Sequence, residues 1–167
     1  MSKMSADSLK NNITNPARVY LWEVIIPTPP KGDTQTYLLR AQSTSQPGRS
    51  FGKIHVPFKQ SGGVEFPGKL TYSHEWSVTF IEGEDRALLV AMNAWMNRVI
   101  HERYMIGYPN FKTDLYLHLI NTDGSVAKKI KMIGCFPMEL QEVEMDYNSE
   151  TEMKFTSKFS YDRWELV

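Results

Sequence analysis

The stretch EWSVTFIE at residues 75–82, running on into EDRALLVAMNAWMNRVIHER at 84–103, carries two hydrophobic periods back to back. In the first, Trp76, Val78 and Phe80 recur at every second residue, the pattern of a β-strand buried on one face. In the second, Leu88, Ala91, Met92, Trp95 and Val99 recur at helical spacing. Glu84 and Asp85 open that helix and Arg103 closes it, the charge order the macrodipole favours. The Met and Trp stripe reads as core packing rather than a cofactor site. No other segment predicts a helix.

Outward from this point the chain reads as β. VYLWEVII at 19–26 is a strand, stopped by the proline-rich turn PTPPKGD at 27–33. TYLLRAQS at 36–43 predicts a second strand. DLYLHLIN, the turn signal TDGS and AKKIKMIG predict a hairpin across 114–134. The last strand lies in TEMKFTSKFSYDRW, with Phe155, Phe159 and Tyr161 on one face and Lys154 and Lys158 on the other. Seven to nine strands and one helix predict a mainly β fold, an antiparallel β-sandwich or partly closed barrel with one flanking α-helix.

Residues 46–69, QPGRSFGKIHVPFKQSGGVEFPGK, hold three prolines and five glycines, too many for a packed core segment. Ile54, Val56 and Phe58 alternate there with Lys53, His55, Pro57 and Lys59. We read a projecting β-arm with a greasy face and a basic face. Such an arm cannot bury its apolar side locally and needs a neighbour. The alternative is a loop with incidental apolar residues.

The 167 residues predict one domain, with residues 1–18 as a polar N-terminal arm and 19–167 as the β domain. No apolar run approaches the roughly 18 residues of a membrane-spanning helix. The polar N-terminus is not read as a signal peptide. The single cysteine, Cys135, excludes an internal disulfide and reads as a small buried hydrophobe. Charge is unevenly spread: residues 1–69 hold nine Lys/Arg against four Asp/Glu, and 135–167 hold three against eight. That asymmetry suits head-to-tail packing of copies.

The search for chemistry yields little. His55, His74, His101 and His118 lie on four elements without ligand-spaced partners. SGGVEFPGK lacks the ending and the following helix of a phosphate loop. The acidic stretch ELQEVEMDYNSETE at 139–152 is more informative. Glu142, Glu144 and Asp146 alternate with Val143, Met145 and Tyr147, which predicts a strand with an acidic face. Such acids sit roughly 6.6–6.8 Å apart along a strand, near the lower limit for inverting glycosidases. Any i, i+2 pair satisfies that spacing, and the aromatic Tyr147 falls on the opposite face. A straight strand also supplies calcium ligands poorly. A solvated face, an interface and an anion-repelling wall stand as its readings.

Several motifs, in order, resemble the tail tube proteins of contractile-tailed bacteriophages. Gly134-Cys135-Phe136-Pro137 is followed by the alternating ELQEVEMDY, a polar turn and a strand ending Tyr161-Asp162-Arg163-Trp164. VYLWEVII, RAQSTSQPG, the KIHVPF arm and EWSVTFI stand in matching order. The resemblance spans about Ala17 to Glu165; the N-terminal extension and PTPPKGD depart from it. It implies a structural subunit without enzymatic activity or cofactor. Six copies would form a ring whose inner strands complete one continuous β-barrel. Rings would stack into a hollow tube inside a contractile sheath, conducting the genome during ejection. Implied partners are further copies, the sheath protein, the baseplate and terminator proteins, and transiently the tape measure protein and DNA. The implied location is the virion tail, assembled in the host cytoplasm, with no membrane insertion. Tubes of phage-derived secretion or bacteriocin particles share the resemblance, and a monomeric ligand-binding sandwich is the rival outside it. Within it, the 46–69 arm (Arg49, Lys53, Ile54, Val56, Phe58, Lys59) would contact a neighbouring subunit. Glu142, Glu144 and Asp146 would either line the lumen, repelling DNA, or meet Arg49, Lys53 or Lys59 of the next ring.

Overall fold

The computed structural model describes residues 13, 16–27, 34–59, 62–104, 111–143 and 145–167. Its strands are β1 (Trp22–Ile25), β2 (Ala41–Thr44), β3 (Arg49–Val56), β4 (Val64–Tyr72), β5 (Glu75–Ile81), β6 (Thr113–Ile120), β7 (Val126–Leu140), β8 (Lys154–Ser160) and β9 (Arg163–Leu166). Helix α1 spans Thr34–Arg40 and helix α2 spans Ala87–Glu102. Much of the expected N-terminal arm and of the PTPPKGD turn lies outside the described residues.

Seven strands form an antiparallel sheet in the order β1-β6-β7-β8-β5-β2, with β9 added on β7. The long strand β7 makes this a sandwich. Its first part pairs with β6 and β9, and from Phe136 to Leu140 it pairs with β8. The change of partner falls beside Gly134, whose φ of 69° is a left-handed conformation that only glycine adopts cheaply. Its amide donates to Asp114 Oδ1 at 3.1 Å, which holds the corner. The GCFP motif is thus the bend between two sheets.

Between those sheets lies the core. Trp76, Val78 and Phe80 of β5 stand opposite Phe159, Ser157 and Phe155 of β8, all buried. Val24, Leu115, Leu117, Ile130 and Met132 line the other wall. Leu88, Ala91, Met92 and Trp95 of α2 join this cluster, and Trp95 Nε1 donates to Phe111 O at 2.7 Å. Ser157 is small, and buried Met92 packs over it. The binary pattern of 75–103 is realised at Trp76, Val78, Phe80, Leu88, Ala91, Met92 and Trp95, with Val99 half-buried; the expected helix opening at Glu84 and Asp85 is corrected, because the helix begins at Ala87 and its first turn holds no acid.

Two further expectations need correction. TYLLRAQS is not one strand: residues up to Arg40 are helical and only Ala41–Thr44 pair with β5. Tyr37 is buried edge-on against Phe80, 6.3 Å between ring centres, and the tight turn brings Arg40 to the start of α2. The acidic strand expected through Tyr147 ends at Leu140. Gln141 still donates to Thr156 O, but in the register of Glu139 with Lys158 β8 reaches back only to Lys154, level with Val143, and supplies no partner beyond it. Asp146 instead starts a turn: its carbonyl accepts from Ser149 N, and its side chain accepts from Asn148 N at 3.0 Å.

Candidate assembly surfaces

The 46–69 segment folds as a β-hairpin of its own. Among the described residues, strands β3 and β4 pair only with each other, in a two-stranded sheet apart from the sandwich. Ile54 faces Phe66 and Val56 faces Val64, so four apolar side chains share one side. They are 54%, 52%, 47% and 54% exposed, and Phe51 and Phe58 are exposed as well. On the other side His55 Nδ1 meets Glu65 Oε1 at 2.9 Å. The turn needs Gly63: with φ 90°, any Cβ there would sit 2.6 Å from Val56 O. A two-stranded hairpin is marginal in water by itself. It is held here at its base.

The hold comes from residues 161–164. Trp164 Nε1 donates to Gly48 O at 3.2 Å, and the Arg49 guanidinium lies 5.0 Å over the Trp164 ring. On the other leg, Tyr72 packs edge-on to Trp164, and Ser73 Oγ and Tyr161 OH are 2.7 Å apart. His74 Nδ1 lies 3.0 Å from Tyr161 O. The YDRW motif is therefore the clamp on both hairpin legs. Of the basic residues assigned to the arm, Arg49 is engaged within its own chain, whereas Lys53 and Lys59 are exposed.

Glu142 and Asp146 are exposed in the segment after β7, not on a strand face, and Glu144 lies outside the described residues. Glu142 and Asp146 border one polar hollow with Glu152, Arg86 and Lys154. Lys154 Nζ stands 2.7 Å from Glu152, and its hydrogen bond lowers the Glu152 pKa. The structure thus gathers these acids, but beside the start of α2 and among cations.

One buried structural carboxylate escaped the sequence reading. Glu82 has no exposed side-chain surface and accepts from Leu89 N at 2.7 Å, Leu88 N at 3.4 Å and Gly83 N at 3.0 Å. Arg40 reaches it at 3.2 Å and also grips Asp85, whose pKa that hydrogen bond lowers. The helix is capped by a residue five positions before its first turn, because Arg86 at the cap has a left-handed φ of 51° and no capping side chain. No local motif marks such a cap.

A cleft of about 450 Å³ lies between the 16–22 segment and the end of β6, with Leu21, Trp22, Leu117 and Leu119 in its walls. No Asp or Glu is among its described lining residues. Among the described residues no three His, Cys, Asp or Glu side chains gather as a metal site. Burial pushes the Cys135 thiol up to about 12, which keeps it protonated and unreactive at neutral pH.

The fold is a sandwich with an apolar hairpin projecting from it, clamped at its base by residues 161–164. Residues 21–167 match the family described as phage tail tube protein, and the chain belongs to that family. The tail tube protein of Serratia phage KSP90 is 26% identical over 154 residues, covering 86% of this chain and 85% of the relative. Two solved structures share the fold. A chain of an extracellular contractile injection system, the PVC sheath–tube complex in the extended state, superposes with TM-score 0.66 and 17% identity, covering 98% of each chain. A chain of the PVC sheath/tube terminator superposes with TM-score 0.68 and 18% identity, covering 93% of this chain and 99% of that one.

Proposed function

We propose that this chain is the repeating structural subunit of a contractile tail tube. Six copies close a ring, rings stack, and the tube conducts the genome through a surrounding sheath. The observation that carries this reading is the hairpin: four half-exposed apolar side chains on one face, on a base rigidly clamped to the fold. A neighbouring copy that covers that face removes the exposed apolar area. The role is structural, without catalysis. The sheath, the terminator and the baseplate are its partners, the tape measure protein and DNA pass through the lumen, and the particle is assembled in the host cytoplasm. The acidic segment at Glu142 and Asp146 meets Lys53 and Lys59 of the next ring. Its position off the sheet favours this contact over a strand-face lumen.

Negative-stain electron microscopy of the purified protein over a concentration series tests the proposal. Hollow tubes or stacked rings are expected. A strictly monomeric sample, even when seeded with baseplates, overturns it. A second reading, the tube of a phage-derived injection particle, is favoured by the fold shared with the PVC chains. Purified native particles decide between the two: packaged DNA supports the phage tail, and particles without any support the other.

A further inference from the structure

We propose that His74 is the hinge that aims the hairpin arm, a positioning residue whose imidazole ring holds the arm at one angle to the sandwich. The consequence for assembly rests on the tube reading above. Strand β4 ends at Tyr72 in the hairpin sheet, and β5 begins at Glu75 in the main sheet. Ser73 and His74 alone join them, so the chain passes from one sheet to the other within two residues. His74 makes that step with a φ of 58°, in the left-handed region. A residue with a side chain keeps such a backbone where its surroundings over-determine it.

Tyr161 supplies those surroundings. His74 Nδ1 lies 3.0 Å from Tyr161 O, and a carbonyl only accepts, so Nδ1 carries the proton and donates. Tyr161 N donates back to His74 O at 3.2 Å. The ring centres of the two residues are 6.1 Å apart. Tyr161 is buried in the core, which fixes the hinge to the sandwich. On the arm side the same imidazole meets Tyr72 edge-on, with 6.0 Å between ring centres. It therefore bridges the last residue of β4 and the core. Space-filling does not account for it, because His74 is itself exposed.

The other leg is less able to set the angle. Residues 45–48 join β2 to β3, twice the length of the second connection. That leg is tied by its carbonyls: Ser45 O accepts from Trp76 Nε1 at 2.8 Å, and Gly48 O from Trp164 Nε1. A Cβ at Gly48 would meet nothing within 4 Å. The first leg is tethered rather than wedged, and the direction of the arm is left to residue 74. Direction matters because Ile54, Val56, Val64 and Phe66 share one side of the arm. An arm free to swing must be ordered each time that side meets a neighbour, which weakens the contact.

Pulsed electron paramagnetic resonance on subunits tests the hinge. Nitroxide labels are placed at Lys53→Cys on the arm and Asn97→Cys on α2, both exposed, while Cys135 is buried. A narrow distance distribution is expected in the parent. His74→Gly keeps the left-handed turn, which glycine adopts freely, and removes only the ring. It is expected to broaden the distribution, to leave the thermal midpoint of the subunit near the parent's, and to raise several-fold the concentration at which unlabelled protein forms tubes. Asn tolerates the same backbone and carries an amide donor at the position of Nδ1, so His74→Asn is expected to restore the narrow distribution and parental assembly. An unbroadened distribution in H74G overturns the proposal, as does a broad one in the parent. Broadening with tubes at the parental concentration overturns the role in assembly. If H74G does not fold, His74→Ala is read in the same way; failure of both to fold makes the residue a requirement of the fold and overturns the hinge equally. Absence of tubes from the unmodified protein refutes the tube reading, while the distance measurement still decides the hinge.

Discussion

Glu82 shows how much of the fold can rest on one side chain. It satisfies two first-turn amides of α2 and pairs with Arg40, which ties α1, the β5 end and α2 together. Glu82→Ala leaves those donors without an acceptor and is expected to lower stability by about 2–3 kcal/mol. For a chain of this size that is a fall in Tm of about 5–10 °C. Glu84→Ala, at an exposed neighbour, is expected to change stability by less than about 0.5 kcal/mol. Thermal denaturation of both variants checks this, and equal shifts would sink the capping role. His118 gives a pH test. It stands in register between Glu23 and Lys129, with the Tyr116 ring near it. Burial first, and then Lys129, hold its pKa below the ordinary value, with Glu23 opposing. The unfolded chain therefore binds the extra proton below about pH 6.5. The stability His118 contributes is complete above that value and is lost as pH falls toward the folded-state pKa. Urea midpoints at pH 7 and pH 5 are expected to differ less in His118→Gln than in the parent.

At the scale of elements, the hairpin has an apolar face that no described residue covers. Ile54→Ser combined with Phe66→Ser removes the centre of that face while leaving the sandwich untouched. Stability of the subunit is expected to stay within about 0.5 kcal/mol, whereas tube formation is lost in electron micrographs. Tubes of normal yield would show that the face is not a contact. The arm was legible because Ile54, Val56 and Phe58 alternate with polar residues amid glycine and proline. The same reasoning failed at 36–43, where a short apolar run fits helix and strand alike and burial of Tyr37 decides. It failed again beyond Leu140. Alternation predicts a strand only where a partner strand is in reach, and β8, whose first residue Lys154 is level with Val143 in register, provides none beyond it.

Taken as a whole molecule, the chain has a basic first part and an acidic last part, which the proposed ring contacts would bring together. Glu142→Lys with Asp146→Asn, which keeps the turn acceptor, is expected to raise the concentration needed for tube formation. The effect should fade at high salt, since exposed charges are screened. Light scattering across a salt series measures it, and assembly at an unchanged concentration would remove the acidic segment from the ring contact. By itself the sequence determined the alternating strands, the one long helix, the hairpin arm and the motif order of the family. Each of these is written in local periodicity or turn chemistry. Only the tertiary structure decided that Glu82 caps the helix, that Tyr161 and Trp164 clamp the hairpin, that β7 bends at Gly134 and that the acids leave the sheet. Each of those depends on which distant segments meet, and the spacing of residues along one strand carries no record of its partners.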